Sequence, residues 1–130
     1  MHRLLLLSLC FAAAACAHAT PVAPAPLSVD ETPKLQAALV GSCMVTATQK
    51  LDGERKDAKG LWWTFAADGR GHLRIGNTGT PFGDFTYRLD GRNVMTTGSY
   101  KALRVDEYDG PTMKWFLYDI SQYYWCTKKQ

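Results

Sequence analysis

The chain has 130 residues, of which 46% are hydrophobic and 12% aromatic, and its formal net charge is +3. So small a charge argues against a nucleic-acid-binding protein, in which cations are concentrated on one face. The length is that of one small domain once any targeting segment has been set aside.

The first 19 residues are predicted to be an export signal. A short positive region that ends at Arg3 precedes an apolar run over residues 4–15, which is too short to cross a bilayer. The small-x-small motif that ends at Ala19 is typical of a signal-peptidase cleavage site. Cleavage there would leave a mature protein that is periplasmic or secreted.

Residues 13–16 offer an alternative end to the signal. Their sequence, Ala-Ala-Ala-Cys, resembles a bacterial lipobox, in which the cysteine is lipidated and becomes the first residue. Lipoboxes usually carry Leu three places before the cysteine, and Ala13 stands there. We therefore favour cleavage after Ala19, with lipidation of Cys16 and attachment to the outer membrane as the alternative.

Residues 20–36 are predicted to be a flexible spacer. Four prolines lie there among Ala, Thr, Ser and Val, and proline disfavours both helix and sheet. A short helical turn over residues 32–39 is also predicted, with Thr32 as its N-cap and Pro33 in its first turn. A helix in that place would plug one end of the domain that follows.

Two cysteines, Cys43 and Cys126, bracket the rest of the chain. In an exported protein such a pair is most simply a disulfide. It would join the first strand of the domain to the last, as a closed barrel requires. Closing so long a loop should stabilise the fold by about 4 to 5 kcal/mol in the chain-entropy model.

Residues 37–130 are predicted to form an all-β domain. Asp-Gly turn signals recur at 52–53, 68–69, 90–91 and 109–110, and the runs between them alternate apolar and polar residues. The predicted strands cover residues 39–48, 61–66, 72–75, 84–89, 93–97, 101–106, 113–120 and 122–128. Consecutive strands without helical crossovers form a meander, so the predicted fold is a small up-and-down antiparallel barrel of about eight strands.

Three segments of this domain resemble the bacterial lipocalin-like domains. Residues 63–71 match the pattern W-x-F-x-x-D-G-x-G, residues 85–91 match F-x-Y-x-L-D-G, and Met-Lys-Trp follows at 113–115. The resemblance covers the chain from Leu39 to its C-terminus. It implies a small exported barrel that holds a small apolar ligand. One departure lies on the first strand, where Cys43 stands in place of the Trp of a Gly-x-Trp motif.

The residues do not favour an enzyme. Removal of the signal leaves His72 as the only imidazole, and its place beside Leu73 predicts a solvent-facing strand residue. Both remaining cysteines are assigned to the disulfide, and no serine lies in a nucleophile motif. One imidazole cannot supply a zinc site. We therefore expect no catalytic residues, no metal and no cofactor.

The acidic residues Asp106, Glu107 and Asp109 are predicted to form a turn rather than a calcium site. A twelve-residue calcium loop that began at Asp106 would need a bidentate Glu at its last position, and Leu117 stands there. Asp109 followed by glycine is instead typical of a tight turn.

Aromatic side chains are the main candidates for recognition. Adjacent rings, at 62–63, 115–116 and 123–125, must point to opposite faces of a strand, so some rings lie outside the barrel. The outer rings form either cross-strand ladders, which we favour, or a recognition patch. The Gly-rich loop 76–83 suits a mobile binding tip. The candidate binding residues are Trp62, Phe82, Tyr108, Trp115, Tyr124, Arg74 and Arg88.

Several basic residues are predicted to point outward from the strands. We favour ordinary surface residues that guard strand edges, and the alternative is a basic wall that faces acidic partners or lipid head groups. The residues concerned are Arg74, Arg88, Arg104, Lys101 and Lys114.

Two classes of function remain. In the favoured one, the domain is an exported, non-enzymatic binding module that recognises another protein through its surface and loops, as an inhibitor or immunity factor of the cell envelope. In the other, it is a lipocalin-like carrier of a small hydrophobic ligand in the barrel. The supply of inward Trp and Phe residues predicts a filled interior, which favours surface recognition.

Overall fold

The structure of the protein is a computed structural model that describes residues 22–76, 80–98 and 100–129. The predicted export signal, with the cleavage site after Ala19 and the lipidation site at Cys16, lies outside these residues, and so does the tip of the loop 76–83 at residues 77–79. In the described ranges, no helix is both long and apolar enough to cross a membrane.

The described residues form one short helix, nine strands and, between the last two strands, a 3-10 turn at Tyr118–Ile120. Their bounds are α1 (Glu31–Leu39), β1 (Gly41–Lys50), β2 (Lys56–Asp57), β3 (Leu61–Phe65), β4 (Arg70–Ile75), β5 (Thr80–Asp90), β6 (Asn93–Thr96), β7 (Ala102–Glu107), β8 (Thr112–Leu117) and β9 (Gln122–Lys128).

Eight of the strands close into an antiparallel barrel. Neighbours in the sheet follow chain order from β3 to β9, and β1 pairs with both β3 and β9, which closes the ring. The predicted fold, an all-β up-and-down barrel of about eight strands, is confirmed. Strand β2 is an unpredicted addition, since its two residues, which pair with Ala47 and Thr48 of β1, are too few to show an alternating pattern.

Several predicted strand boundaries are wrong. The strand predicted over residues 84–89 begins four residues earlier, at Thr80, so residues 80–83 of the predicted loop belong to β5. The strand predicted over residues 113–120 ends at Leu117, because the chain then turns in a 3-10 helix that ends at Ser121 with a left-handed φ of 49°. The strand predicted to begin at Leu39 begins at Gly41, because Leu39 is still the last residue of helix α1. After Leu117 and at Leu39, apolar residues therefore lie in helical turns rather than in strands.

Helix α1 covers one end of the barrel, as the sequence predicted. Leu35 and Leu39 lie four residues apart on one face of the helix, and both are fully buried in the core. On the same side, the Gln36 amide donates a hydrogen bond to the hydroxyl of Tyr87 at 3.3 Å. The helix therefore plugs the end at which strand β1 begins.

The folded part of the chain begins before the predicted boundary at residue 37. Helix α1 starts at Glu31, so the predicted N-cap at Thr32 is wrong, and Thr32 is the second residue of the helix. Upstream of it, Leu27 packs against the core, and the carbonyl of Ala25 accepts a hydrogen bond from Arg92 Nε at 2.6 Å. Part of the predicted spacer therefore packs on the barrel.

The disulfide lies at the seam of the barrel. Cys43 on β1 is bonded to Cys126 on β9, and their Cα atoms are 5.5 Å apart. These are the two strands whose pairing closes the ring. The predicted link between the first and last strands of the barrel is confirmed.

Aromatic side chains fill the barrel interior. Trp63, Phe65 and Trp115 are at most 1% exposed. The ring centroids of Trp63 and Trp115 lie 5.6 Å apart, edge to face, and Phe85 stands 5.9 Å from Trp63. Gly71 lies opposite Phe85 on the neighbouring strand, where a Cβ atom would overlap that ring. Such contacts are those of a densely packed core.

Candidate functional site

Four exposed apolar side chains lie towards the end of the barrel opposite helix α1. Strand β4 ends there with Ile75, strand β5 begins there and carries Phe82, and the 3-10 turn holds Tyr118 and Ile120. Their exposed fractions are 40%, 55%, 42% and 39%, respectively. These four residues are referred to as the mouth rim.

The mouth rim flanks the opening of the barrel on two sides. The β4–β5 connection and the β8–β9 connection lie on opposite sides of the ring of eight strands. Single exposed apolar residues are ordinary on a protein surface, whereas several around one opening are suited to contact with a partner. The rim is therefore the candidate contact surface of the molecule.

Buried polar groups lie in the interior below the rim. Tyr100, in the β6–β7 connection, packs against Trp63 with ring centroids 5.7 Å apart. Burial raises the pKa of Tyr124 to about 12, and a hydrogen bond with Tyr100 adds to the effect. The indole N–H groups of Trp63 and Trp115 are buried and have no hydrogen-bond partner among the described residues. Buried donors of this kind cost free energy unless an acceptor meets them.

A ladder of aromatic and cationic side chains covers part of the outer wall. Phe116 on β8 and Tyr123 on β9 are direct cross-strand partners, with ring centroids 5.0 Å apart. Lys114 Nζ lies 4.6 Å from the Tyr123 ring, and the Arg55 guanidinium lies 4.2 Å above Trp125. Outer rings were predicted to form such ladders, and here they do.

Arg104 is not the solvent-exposed residue that its outward position predicts. It faces away from the core, yet its residue is only 8% exposed. Its Nε and Nη2 donate to the two carboxylate oxygens of Asp106 at 2.5 and 3.0 Å, and its guanidinium lies 5.1 Å from the Phe116 ring. The hydrogen bonds with Asp106 raise the pKa of Arg104. Arg104 is buried because the Phe116 ring covers this part of the outer wall.

The five aromatic residues predicted to bind a partner lie at different places. Trp115 and Tyr124 are buried inside the barrel, and Phe82 lies on the mouth rim. Trp62 is half-buried on the outer wall, where Lys129 Nζ lies 5.5 Å from its ring. Tyr108 is half-buried near the helix-covered end, below the guanidinium of Arg92. Only Phe82 is therefore an exposed member of the mouth rim.

The two predicted binding arginines are exposed on the outer wall but line separate clefts. Arg74 lines a cleft between β4, β5 and the start of the β6–β7 connection. Arg88 lines a second cleft, between helix α1 and the β3–β4 turn. The basic wall, which was the alternative to ordinary surface residues, does not form, because Arg104 is paired with Asp106 and Lys114 stacks on the outer rings.

The sequence pattern does not single out three residues of the mouth rim. It places Ile75 in strand β4 as an ordinary member, and it places Tyr118 and Ile120 at the end of a longer β8. A helical break after Leu117 has no local signal, because Tyr and Ile favour strands. The β4–β5 and β8–β9 connections lie at the same end because the connections of an antiparallel meander alternate between its two ends.

The remaining titratable groups offer little for catalysis. His72 faces outward as predicted, and its Nδ1 lies 3.9 Å from Asp84 Oδ1 in an exposed pair. Within the described ranges, no group of three His, Cys, Asp or Glu side chains is placed to hold a metal ion. The apolar side chains at the mouth suit contact with a partner.

Comparison with known proteins shows a structural similarity. No protein-family model matches the chain, and no curated protein matches it. A lipocalin-like protein from Bacteroides uniformis superimposes with a TM-score of 0.57 at 12% identity, over 71% of this chain and 99% of that chain. An uncharacterized protein from Bacteroides eggerthii gives 0.55 at 14% identity, over 70% and 99%. The chain therefore has the fold of lipocalin-like proteins, as its hairpin motifs predicted.

Proposed function

We propose that the protein is an exported, non-enzymatic binding module that recognises another protein of the cell envelope through its mouth rim, as an inhibitor or immunity factor would. The observation that carries the proposal is the combination of a filled interior with apolar side chains exposed at the mouth. Large side chains at most 1% exposed occupy the interior, so little room is left for a cargo. The same barrel exposes Phe82 and Tyr118 by 55% and 42%.

The composition of the rim supports a protein partner. Aromatic residues are enriched at the centres of protein interfaces, where they contribute a large share of the binding energy. The rim sits on a rigid scaffold, since the strands below it are closed into a ring and locked by the Cys43–Cys126 disulfide. A disulfide also suits the oxidising compartment that an exported protein occupies.

The test is capture of a partner from the cell envelope by the oxidised protein, followed by native mass spectrometry of the complex. We expect a protein-sized companion that is lost when Phe82 and Ile120 are replaced by Ser. Val29→Ser is the matched control, because Val29 is also exposed but lies upstream of helix α1. A companion that survives the rim substitutions would refute the proposal.

A second candidate function is carriage of a small ligand, and one observation favours it. The buried indole N–H groups of Trp63 and Trp115 would be satisfied by an acceptor atom of a ligand inside the barrel. The same mass spectrum separates the two functions. A small added mass that leaves on gentle activation, without a protein companion, would establish the carrier.

A further inference from the structure

A cleft of about 690 Å³ lies on the outer wall of the barrel, beside the β4–β5 part of the mouth rim. Arg70, His72 and Arg74 occupy alternate positions of strand β4, so their side chains project to the same outer face. All three line the cleft, and the hydroxyl-bearing Thr86 and Thr97 form its other side. Its volume is within the range of small-molecule sites, roughly 300–1,000 Å³.

The cations of this cleft are not all matched by carboxylates. Asp68 lies 3.9 Å from Arg70, and Asp84 lies 3.9 Å from His72. Asp68 is also engaged in its own turn, where it accepts a hydrogen bond from the backbone N–H of Arg70 at 3.0 Å. Among the described residues, no carboxylate lies within 4.0 Å of the Arg74 guanidinium. Of the groups that line the cleft, two are guanidiniums, those of Arg70 and Arg74, and one is a carboxylate, that of Asp84, so the lining has a surplus of one positive charge.

The threonine hydroxyls add a neutral donor. Thr86 Oγ1 and Thr97 Oγ1 are 3.2 Å apart, and Thr97 Oγ1 accepts a hydrogen bond from the backbone N–H of Thr86 at 2.9 Å. One hydroxyl donates its proton to the other, so the proton of the second hydroxyl is available for a hydrogen bond to a ligand.

We propose that this cleft binds a phosphate group, with Arg74 and Arg70 as the charged donors and the Thr86–Thr97 pair as the hydroxyl donor. Guanidinium groups bind phosphate oxygens in a bidentate manner. A phosphate presents more acceptor oxygens than a carboxylate, which suits donors that come from several sides. The phosphate belongs either to a free small molecule or to a lipid head group, and both present the same oxygens. None of the four residues of the mouth rim lines the cleft, and the proposal does not rest on the proposed protein partner.

The test is a nuclear magnetic resonance titration of the oxidised protein with inorganic phosphate at constant ionic strength. We expect saturable shifts of the backbone amides of residues 70–74, 86 and 97. Arg74→Gln should weaken binding on the order of tenfold, because it removes a charge-assisted bidentate contact. Asp84→Asn should strengthen binding, because it removes the opposing carboxylate from the cleft. Lys59→Gln is the control, since Lys59 is exposed and does not line the cleft.

Vesicles distinguish the two sources of phosphate. Binding to phosphatidylglycerol vesicles but not to phosphatidylcholine vesicles, lost in Arg74→Gln, would assign the site to an anionic head group. Saturation by free phosphate without vesicle binding would assign it to a small molecule. Shifts that do not saturate, or that weaken equally in Lys59→Gln, together with no vesicle binding, would overturn the proposal. Because no rim residue takes part, failure here leaves the test of the protein partner untouched.

Discussion

On the outer wall, Arg104 and Asp106 form an ion pair whose side chains are each only 9% exposed. A buried pair of this kind gains little over well-packed apolar residues, because both charges lose their hydration. Removal of one partner is different, since the other charge is then left buried without compensation. The pair therefore adds little net stability, although breaking it is costly.

We expect Asp106→Ala to lower the free energy of unfolding by about 2 kcal/mol. This is below the cost of breaking a fully enclosed pair, because the guanidinium lies at the barrel surface and can turn towards water. The double variant Arg104→Met, Asp106→Val should recover most of the loss, since methionine can pack on the Phe116 ring. Urea unfolding of the three proteins measures both effects. A double variant less stable than Asp106→Ala would contradict the argument.

Tyr124 should make the fold sensitive to alkaline pH. Its pKa is raised from the ordinary value of 10 to about 12 in the folded protein by burial. The stability that the neutral buried hydroxyl supplies is complete below about pH 10 and is lost as the pH rises towards 12, because the unfolded chain ionises first. Urea midpoints across this range should fall more steeply for the natural protein than for Tyr124→Phe. Tyr118→Phe, at an exposed site, is the control. If the urea midpoints of the natural protein and both variants fell in parallel with pH, Tyr124 would not be the group responsible.

At the scale of elements, helix α1 depends on its contact with the barrel. A nine-residue helix is too short to be stable alone in water. Asp30 at its N-cap makes no side-chain capping hydrogen bond. Burial of Leu35 and Leu39 therefore stabilises the helix and closes the end of the core in one step.

We expect Leu35→Ala to destabilise the protein by about 2 to 4 kcal/mol, because it removes a fully buried side chain and leaves a cavity. Lys34→Ala, next to it and exposed, should change the stability by less than about 0.5 kcal/mol. Thermal and urea unfolding of the two variants measure the loss of stability in each. Equal losses would mean that the helix does not plug the barrel.

At the scale of the whole molecule, closure of the ring depends on the seam between β1 and β9. The disulfide there joins residues 83 positions apart, so it restricts most of the unfolded domain. The chain-entropy model gives about 4 to 5 kcal/mol for a loop of this length. A barrel of this size has a limited core, so that contribution is a large part of its stability.

Replacement of Cys43 and Cys126 by Ala should therefore lower the free energy of unfolding by about 3 to 5 kcal/mol. Urea unfolding with and without a reductant tests this, and reductant should affect the natural protein but not the variant. A loss below about 1 kcal/mol would show that strand pairing alone holds the seam.

Individual residues show how far the candidate site follows from the sequence. Strand alternation correctly predicted that Trp62 and Trp63 point to opposite faces, because side-chain direction in a strand is local. It could not tell that Phe116 covers Arg104, because that contact joins β7 to β8 across the outer wall. Nor could it separate Tyr118 and Ile120 from strand β8, since both residues favour strands.

The sequence by itself determined the all-β barrel, the disulfide between its end strands and the helical plug, because turn residues, alternation and cysteine spacing act over short stretches or at the two ends of the domain. Only the tertiary structure decided where the surfaces lie. The mouth rim includes Ile75 and Ile120, and the β4 cleft includes Arg74 and Thr97. The rim residues share one end because every second connection of a meander does, and the cleft forms because β4, β5 and β6 are neighbours in the sheet. No local pattern of residues encodes which of these side chains stay exposed.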